Sequence, residues 1–266
     1  MPAFIPTADQ LSRFSTDGFF VVDRLLDAEE VELLKSIARA DHQMQKEAAS
    51  RGDGEGGAIR LVVENEVHDD IYGAIVRSRR IVDTMEKLLE GEVYHYHHKM
   101  ILKEPYVGGA WAWHQDYGYW YHNDCLYPDM ASCYIAVDPA HRANGCLQVI
   151  RGSHRLGRIE HGKAADQVGA DPARIELILQ SLDRVYCEMQ AGDGLFFHAN
   201  LLHASDQNRS DEPRWGLICC YNTRHNPCKD RPGHPSYTPL EKWDDSRVKE
   251  LGTRQWAEIQ REAHGD

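Results

Sequence analysis

The sequence predicts a fold that is mainly β with helices (α+β), in which a helical N-terminal third precedes an all-β core. Capping motifs and amphipathic patterns occupy the first part of the chain. From Glu92 onward, short runs rich in β-branched and aromatic residues alternate with Gly, Pro, Asn and Asp, which is typical of a sandwich or barrel. We therefore expect one domain over residues 1–266, with helical support in 1–90, the β core in 91–225 and a C-terminal extension in 226–266.

Two capping boxes are expected to begin helices in the N-terminal third. Thr7 is followed by Gln10 and Asp27 by Glu30, so a side chain three residues on can reach back to each cap. The second helix would place its apolar residues on one side, namely Val31, Leu33, Leu34, Ile37 and Ala38. The other elements expected in this third are, in chain order, a short strand in DGFFVVD, a mobile loop over residues 46–58, a strand over 59–63 and helices around 69–77 and 79–90.

The β core is expected to contain seven strand-like runs separated by turn residues. In chain order these runs are VYHYHHKMILK, AWAWHQD, ASCYIAVD, GCLQVIRG, RVYCEMQ, LFFHA and WGLICCYNT. A short helix is expected around residues 172–182, within an insertion that is rich in charged residues.

The charge balance and the cysteines limit the classes of function. Thirty Lys and Arg residues against 42 Asp and Glu residues give a net charge of −12, which argues against a nucleic acid or an anionic membrane as partner. The segment MPAFIPTADQLSRFSTDGFF lacks the basic and apolar regions of a secretory signal, and no stretch approaches a membrane span. Seven cysteines form no CxxC pair, so we expect a reduced, cytoplasmic protein with free thiols. The sequence does not specify an oligomeric state.

The segment WAWHQDYGYW carries a candidate metal site. In an extended strand alternate side chains share a face, so His114 and Asp116 would point the same way, beside the small residues Ala110 and Ala112. The opposite face, with its tryptophans packed on helices, would carry Trp111, Trp113 and Gln115. Two histidines and one carboxylate on one face of a metal are typical of non-haem Fe(II) oxygenases.

The segment GDGLFFHANLLHASDQNRSDEPR is expected to complete this site. His203 is the candidate third metal ligand, and His198 is the alternative that the sequence leaves open. Arg214 opens the strand RWGLICCYN, and Ser205 shares the face of His203. A planar guanidinium binds a carboxylate with two hydrogen bonds, so Arg214 is suited to hold an acidic co-substrate.

The neighbouring strands predict a polar, partly cationic pocket. In YHYHHKMILK, alternation points one set of side chains into the barrel, namely His95, His97, Lys99, Ile101 and Lys103. The opposite set, expected to pack on helices, is Tyr94, Tyr96, His98, Met100 and Leu102. The last strand would point inward with Arg214, Ile218, Cys220, Asn222 and Arg224. Lys103 and Arg224 could equally extend to solvent at their strand ends.

Together these motifs resemble the phytanoyl-CoA dioxygenase (PhyH) family of Fe(II)/2-oxoglutarate-dependent oxygenases. The resemblance covers most of the chain, from the helix–DGFFVV–helix opening through WHQDY and NGCLQVIRGSH to HASDQNRSDEPR. It implies a double-stranded β-helix (a cupin-like jelly roll) over residues 91–225, with helices packed on one sheet.

The resemblance also implies cofactors, chemistry and site residues. The Fe(II) ligands would be His114, Asp116 and His203. The 2-oxoglutarate contacts would come from Arg214 and Ser205, with His97 and Lys103 as further candidates. O₂ would be consumed and an aliphatic C–H of a small polar or anionic metabolite hydroxylated, with succinate and CO₂ as co-products. Asp116 argues for hydroxylation, because related halogenases carry a small residue at this position.

The segment HQDYGYWYHN is similar to that of members acting on small zwitterions, such as free amino acids, ectoine or aminophosphonates. Tyr117, Trp120 and Tyr121 could close the mouth of the pocket, and Trp120 could contact a quaternary ammonium through its ring face. The substrate-binding candidates are therefore Lys99, Tyr117, Trp120, Asn222 and Arg224. The chain departs from the family at Arg151, where relatives carry a turn proline, and at the positions of a usual Gln and Asn, which are His97 and Ile101.

Two other functions remain compatible with the sequence. A cupin-type metal enzyme without a co-substrate would keep the metal ligands but would need neither Arg214 nor Ser205. A non-catalytic small-molecule sensor would keep the barrel but would have no chemical need for all three ligands.

Overall fold

The computed structural model describes residues 4–228 and 235–264. Its helices are α1 Ala8–Asp17, α2 Ala28–Ala40, α3 His42–Glu47, α4 Ile71–Arg77, α5 Arg79–Leu88, α6 Asp116–Trp120, α7 Pro172–Leu179 and α8 Arg247–His264. Its strands are β1 Phe19–Val22, β2 Ala49–Gly52, β3 Ala58–Glu64, β4 Val93–Lys103, β5 Trp111–His114, β6 Met130–Ala136, β7 Leu147–Ile150, β8 His161–Ala164, β9 Gln167–Ala170, β10 Arg184–Cys187, β11 Gly194–His198, β12 His203–Ser205 and β13 Arg214–Thr223.

Both predicted capping boxes are confirmed. The Thr7 and Asp27 side chains accept hydrogen bonds from the backbone of Gln10 and Glu30, whose own side chains bond back to the cap backbone. Each box satisfies donors that the first helical turn leaves unpaired, so the starts of α1 and α2 are determined locally.

The β core consists of two antiparallel sheets and one hairpin. The larger sheet has the order β1-β11-β6-β13-β4-β3-β2, the smaller has the order β10-β7-β12-β5, and β8 pairs with β9. Side chains from both sheets pack together between them, including Leu195 and Phe197 from the larger sheet and Val149 and Cys187 from the smaller. The expected double-stranded β-helix is therefore confirmed, and its interior lies between the sheets.

The helices cover the outer face of the larger sheet, as the resemblance implied. Met100, Leu102, Leu217 and Cys219 point outward from β4 and β13 into the same apolar core as residues of α2, α4, α5 and α8. A buried ion pair joins α2 to α5, with Arg80 donating to both oxygens of Glu30 at 2.8 and 2.6 Å. This layer holds the larger sheet rigid behind its inner face. None of the helices in the described part of the chain combines the length and apolar character needed to cross a bilayer.

Alternation along β4 fails near its start. The pairing with β13 shifts between Cys220 and Tyr221, so the strand bulges at Tyr96. Tyr94 and Tyr96 consequently join an interior cluster instead of the helix layer that alternation predicted for them. His95 was expected in the interior. Instead, its Nε2 lies 3.1 Å from Nδ1 of His98, a residue of the face that was expected to pack on helices.

Residues 46–58, predicted to be a mobile loop, contain the edge strand β2. Ala49–Gly52 pairs with β3, opposite Leu61 to Ala58. The strand is polar and exposed, and its order comes from backbone pairing, which leaves no hydrophobic pattern in the sequence.

Two of the seven cysteines are paired, which contradicts the expectation that all thiols are free. Cys125, in the loop after α6, forms a disulfide with Cys228, which lies beyond β13. The remaining five cysteines are free and buried. No local motif marks the pair, because 103 residues separate its members in the sequence.

We expect the unreduced, denatured protein to react with a thiol reagent at five cysteines, and at all seven only after reduction. Reduction should lower the free energy of unfolding by about 2–4 kcal/mol, because the bond restricts the unfolded chain. A thiol count and paired urea denaturations with and without reductant measure both effects. Seven reactive thiols before reduction would contradict the disulfide.

Candidate active site

Three buried side chains converge between the two sheets. His114 ends β5 and His203 begins β12, and the two residues are direct partners across the strand pair. Their ring centroids lie 4.0 Å apart. Asp116 opens α6, one residue beyond β5, and a donor atom from each of the three residues lies within 4.8 Å of the others.

Hydrogen bonds orient both imidazoles towards this centre. Nδ1 of His114 lies 2.8 Å from the Ala112 carbonyl oxygen, and Nδ1 of His203 lies 2.9 Å from that of Leu201. A carbonyl only accepts, so each Nδ1 carries the proton and each Nε2 keeps a free lone pair. Burial lowers the pKa of both imidazoles, that of His114 well below its ordinary value, which keeps the rings neutral. Neutral imidazoles are the form that binds a metal.

The carboxylate of Asp116 is held from two sides. Ser132 Oγ donates to its Oδ2 at 3.1 Å, and the Lys99 ammonium lies 3.6 Å from Oδ1. Burial disfavours the charged form of Lys99, but the adjacent carboxylate outweighs it and raises the lysine pKa above its usual value. Two neutral imidazoles and one carboxylate on one side of a common centre are the donor set of a facial Fe(II) site. The residues present therefore fit the iron that the resemblance implied.

His198, the alternative ligand, does not face this centre. Its ring lies 5.9 Å from that of Phe14 and 5.4 Å from that of His154, and its Nδ1 accepts a hydrogen bond from the backbone of Asn200.

The expectation that one strand carries the whole WAWHQD pattern was wrong in two respects. Asp116 belongs to a helical turn, and β5 is irregular, because His114 pairs with His203 while Trp111 pairs with Ser205. Three residue steps on β5 therefore oppose two on β12, which is a β-bulge. The bulge turns the Trp111 side chain into the cavity, whereas alternation predicted that it would face outward. Trp113 does pack outward, against a cluster that includes residues of α7.

Gln115 and His161 fix the segment that carries the metal-binding side chains. Gln115 Nε2 donates to the carbonyls of Gly157 and Asn200, and its backbone N–H donates to Nε2 of His161 at 2.9 Å. Gly118 then passes so close to the His161 ring that a Cβ on it would lie 2.2 Å from a ring carbon. The β8–β9 hairpin of the charged insertion thus clamps the start of α6.

A cationic site occupies another part of the same cavity. Arg214 is 2% exposed, and it donates to the Gly145 carbonyl at 2.8 Å and to the Tyr134 hydroxyl at 3.3 Å. Within the described residues its Nε has no hydrogen-bond partner. An unpartnered N–H on a buried guanidinium is costly unless a ligand accepts from it, and a carboxylate is the acceptor that matches its geometry. The arrangement fits the distal carboxylate of 2-oxoglutarate.

Lys103 lies behind this site and does not line the cavity. Its Nζ donates to Ser205 Oγ at 2.8 Å and to the carbonyl of Asp206. Burial, together with the adjacent Arg214 guanidinium, lowers the pKa of Lys103 well below its ordinary value. Because Ser205 accepts from Lys103, its own hydroxyl proton is free to be donated into the cavity.

The rest of the cavity wall is mainly apolar, and much of it was not predicted. Tyr134 and Tyr119 contribute rings, and other wall residues are Ile59, Leu61, Ile101, Leu147, Phe197 and Ile218. Period-two alternation in β3, β6 and β11 could have identified the inner face of each strand. It could not have shown which inner residues lie at the height of the metal ligands, because strand register is set by long-range pairing.

Four of the predicted ligand-contacting residues lie around the cavity without lining it. His97 packs 5.7 Å from the Trp120 ring, which is 2% exposed and itself lies 5.7 Å from the Lys99 ammonium. Tyr117 donates to the carbonyl of Leu126 at 2.7 Å, and Asn222 donates to the Tyr94 hydroxyl at 2.8 Å.

Arg224 lies outside the cavity, which contradicts its expected contact with substrate. Its guanidinium donates to Glu92 at 2.9 Å on the surface, because the strand ends one residue earlier. Tyr121, expected at the mouth, is 46% exposed and packs under the guanidinium of Arg158.

Comparisons with known proteins agree with this geometry. A sequence-family profile described as phytanoyl-CoA dioxygenase (PhyH) matches residues 14–216. The chain is 27% identical over 258 residues to the L-proline trans-4-hydroxylase of Streptomyces griseoviridis. This alignment covers 90% of this chain and 94% of the relative. It is 29% identical over 237 residues to the ectoine dioxygenase of Bordetella parapertussis, in an alignment that covers 83% of this chain and 76% of the relative.

Solved structures share the fold. EctD from S. alaskensis with 2-oxoglutarate and 5-hydroxyectoine superposes with a TM-score of 0.75 at 21% identity, covering 90% of this chain and 88% of that one. The epimerase SnoN in complex with Fe³⁺, α-ketoglutarate and nogalamycin RO gives a TM-score of 0.69 at 23% identity, covering 89% and 93%. Because the family profile spans most of its length, the chain belongs to the phytanoyl-CoA dioxygenase (PhyH) family.

Proposed function

We propose that the protein is an Fe(II)/2-oxoglutarate-dependent dioxygenase that hydroxylates an aliphatic C–H of a small polar metabolite, with succinate and CO₂ as co-products. One observation carries the proposal: the His114–Asp116–His203 cluster and the unpartnered Nε of Arg214 line a single cavity. A metal site and a carboxylate site in one cavity match a co-substrate that has a metal-binding end and a free acid end.

The proposed roles follow from the contacts of each residue. His114, Asp116 and His203 hold Fe(II), and Arg214 with Ser205 binds the distal carboxylate of 2-oxoglutarate. When bound, the iron supplies the O₂ and one-electron chemistry that amino-acid side chains lack. Lys103 positions the Ser205 hydroxyl, so it acts on the co-substrate through that residue.

The remaining residues prepare the site for this chemistry. The carbonyl contacts of the two Nδ1 atoms hold the imidazoles in one tautomer and orientation. The apolar wall, including Leu147, Phe197 and Ile218, excludes water from the centre and strengthens each charged contact within it.

The substrate class is proposed from the cavity and the relatives together. Two relatives are named for L-proline and ectoine, which are small polar molecules. An amino acid, an aminophosphonate or a similar zwitterion is consistent with a buried cavity of mixed polar and apolar lining. Arg214 and Ser205 argue against a metal enzyme without a co-substrate, which has no need of a carboxylate-binding site. The three metal-binding side chains argue against a sensor, which has no chemical need for all of them.

Two further proposals concern the whole chain. One domain over residues 1–266 is supported by Val248 and Leu251 of α8, which pack into the same core as the N-terminal helices. A cytoplasmic location is supported by five free thiols, with the Cys125–Cys228 bond as a local exception.

The proposal is tested by anaerobic titration of the Fe(II)-loaded protein with 2-oxoglutarate. We expect the weak visible charge-transfer band of the chelate to appear and to saturate. Admission of O₂ with a substrate should then yield succinate and a product that has gained one oxygen atom. Iron binding without the band would favour the enzyme without a co-substrate, and absence of iron binding would favour the sensor.

A further inference from the structure

We infer that the substrate carries an anionic group, a carboxylate or its equivalent, and that Lys99 binds it beside the metal ligands. This inference rests on the proposed function and narrows the substrate class within it. Lys99 then becomes a specificity-determining residue that selects acids over their neutral analogues.

The charged groups of the cavity are few, and most of them are already assigned. Its lining contains two cationic side chains, Lys99 and Arg214, and one carboxylate, Asp116. Arg214 and Ser205 lie together at the co-substrate end, whereas Lys99 lies at Asp116. Lys99 is therefore the cation that remains for a second ligand.

Lys99 is held in place but incompletely satisfied. It projects from the inner face of β4, on the same side as Ile101, and its side chain is only 16% exposed. The Asp116 contact at 3.6 Å is longer than an N–H···O hydrogen bond. An ammonium has three donors, and burying it is costly unless acceptors meet them.

With Fe(II) and 2-oxoglutarate bound, the Lys99 ammonium would have a greater need for an anionic partner. Asp116 is proposed as an iron ligand, so its charge is shared with the metal. The two positive charges of Fe(II) and one each on Arg214 and Lys99 exceed by one the three negative charges of Asp116 and 2-oxoglutarate. An anionic group of the substrate bound beside Lys99 offsets this excess charge locally, which a water-poor cavity favours.

The position of Lys99 also limits the size of the substrate. Its ammonium lies 3.6 Å from an oxygen of a proposed iron ligand. An anionic group bound there is close to the reacting position, so only a few bonds separate the acid group from the carbon that reacts. The Trp120 ring lies 5.7 Å from the same ammonium, outside the cavity lining.

The test compares acids with neutral analogues of the same shape. The probes are the L-α-amino acids and the corresponding α-hydroxy acids, each paired with its primary amide, and the readout is succinate release with a product that gains one oxygen atom. Wild-type protein should favour the best acid over its amide by about 30-fold or more in kcat/KM, the effect of one desolvated charge pair. Lys99→Gln should bring this ratio close to one, whereas Lys99→Arg should keep a preference for the acid.

Lys163→Gln is the matched control, since it removes an exposed lysine in β8. The chelate band of each variant reports on iron and 2-oxoglutarate separately from turnover. If Lys99→Gln weakens 2-oxoglutarate binding or iron binding while the acid-to-amide ratio persists, Lys99 serves the co-substrate or Asp116 and the inference is wrong. Acids that perform no better than amides in wild type, including a panel with no turnover, also overturn it. Failure of the proposed function is distinct, because the chelate band itself would then be missing.

Discussion

Replacing Asp116 by alanine should eliminate stoichiometric Fe(II) binding and reduce succinate formation to background. Asp116 supplies the only carboxylate in the described metal cluster, and two neutral imidazoles alone bind Fe(II) weakly. Loss of an outer partner of a metal ligand costs roughly 10- to 100-fold in activity or metal affinity, so loss of the ligand itself should exceed that. Iron content after gel filtration and succinate release measure the two effects.

The controls separate loss of the metal from loss of the fold. Asp116 is buried against Lys99, so the alanine variant leaves an unpaired ammonium, and its melting temperature must be measured. Ser132→Ala, which removes the hydroxyl contacts to Asp116 and Cys220 but keeps the metal ligand, should show the smaller 10- to 100-fold effect. Asp211→Ala, at an exposed position, should match the wild type. A folded Asp116→Ala protein that binds iron and turns over normally would refute the metal assignment.

Replacing Arg214 by alanine should raise the 2-oxoglutarate concentration needed for half-maximal chelate formation by about 30-fold or more. The reason is that truncating one member of a buried charge pair costs about 2–5 kcal/mol. Fe(II) binding should stay intact, because Arg214 is not among the metal-binding side chains. Arg214→Lys should recover part of the affinity, since a lysine supplies the charge but not the planar pair of donors.

Arg209→Ala, which removes an exposed guanidinium on the loop before β13, is the matched control and should bind 2-oxoglutarate as the wild type does. Arg214 also donates to the carbonyl of Gly145, so melting temperatures are needed to exclude a collapsed site. An unchanged 2-oxoglutarate requirement in a folded Arg214→Ala protein would place the co-substrate site elsewhere.

The features predicted correctly from the sequence are those determined by nearby residues. The capping boxes at Thr7 and Asp27 need only a partner three residues away, and they begin helices as expected. The outer face of the central strands was identified correctly at Met100 and Leu102, because period-two alternation is a local property of an unbroken strand. The helix in the charged insertion was likewise predicted within a few residues of its bounds.

Predicting the site correctly required the tertiary structure as well as the sequence. The residue types at 114, 116, 203 and 214, in this chain order, carried the resemblance to the family. Only the folded sheets bring His114 opposite His203 and close the cavity that Arg214 shares with them. The choice between His203 and His198 was open in the sequence because both follow the same turn; pairing of β12 with β5 excludes His198.

The predictions that failed depend on contacts between distant parts of the chain. The bulge that turns Trp111 inward arises from pairing with β12, and the bulge at Tyr96 arises from pairing with β13. Cys125 and Cys228 meet across 103 residues, and Arg224 finds Glu92 on the surface just beyond the end of its strand. The sequence by itself determined the two capped helix starts, most strands of the two sheets and the kinds of side chain available for the chemistry. The tertiary structure decided the strand register, the bulges and the depth of each side chain in the cavity. Each of these depends on the free energy of pairing and packing between distant segments, which a local sequence pattern does not contain.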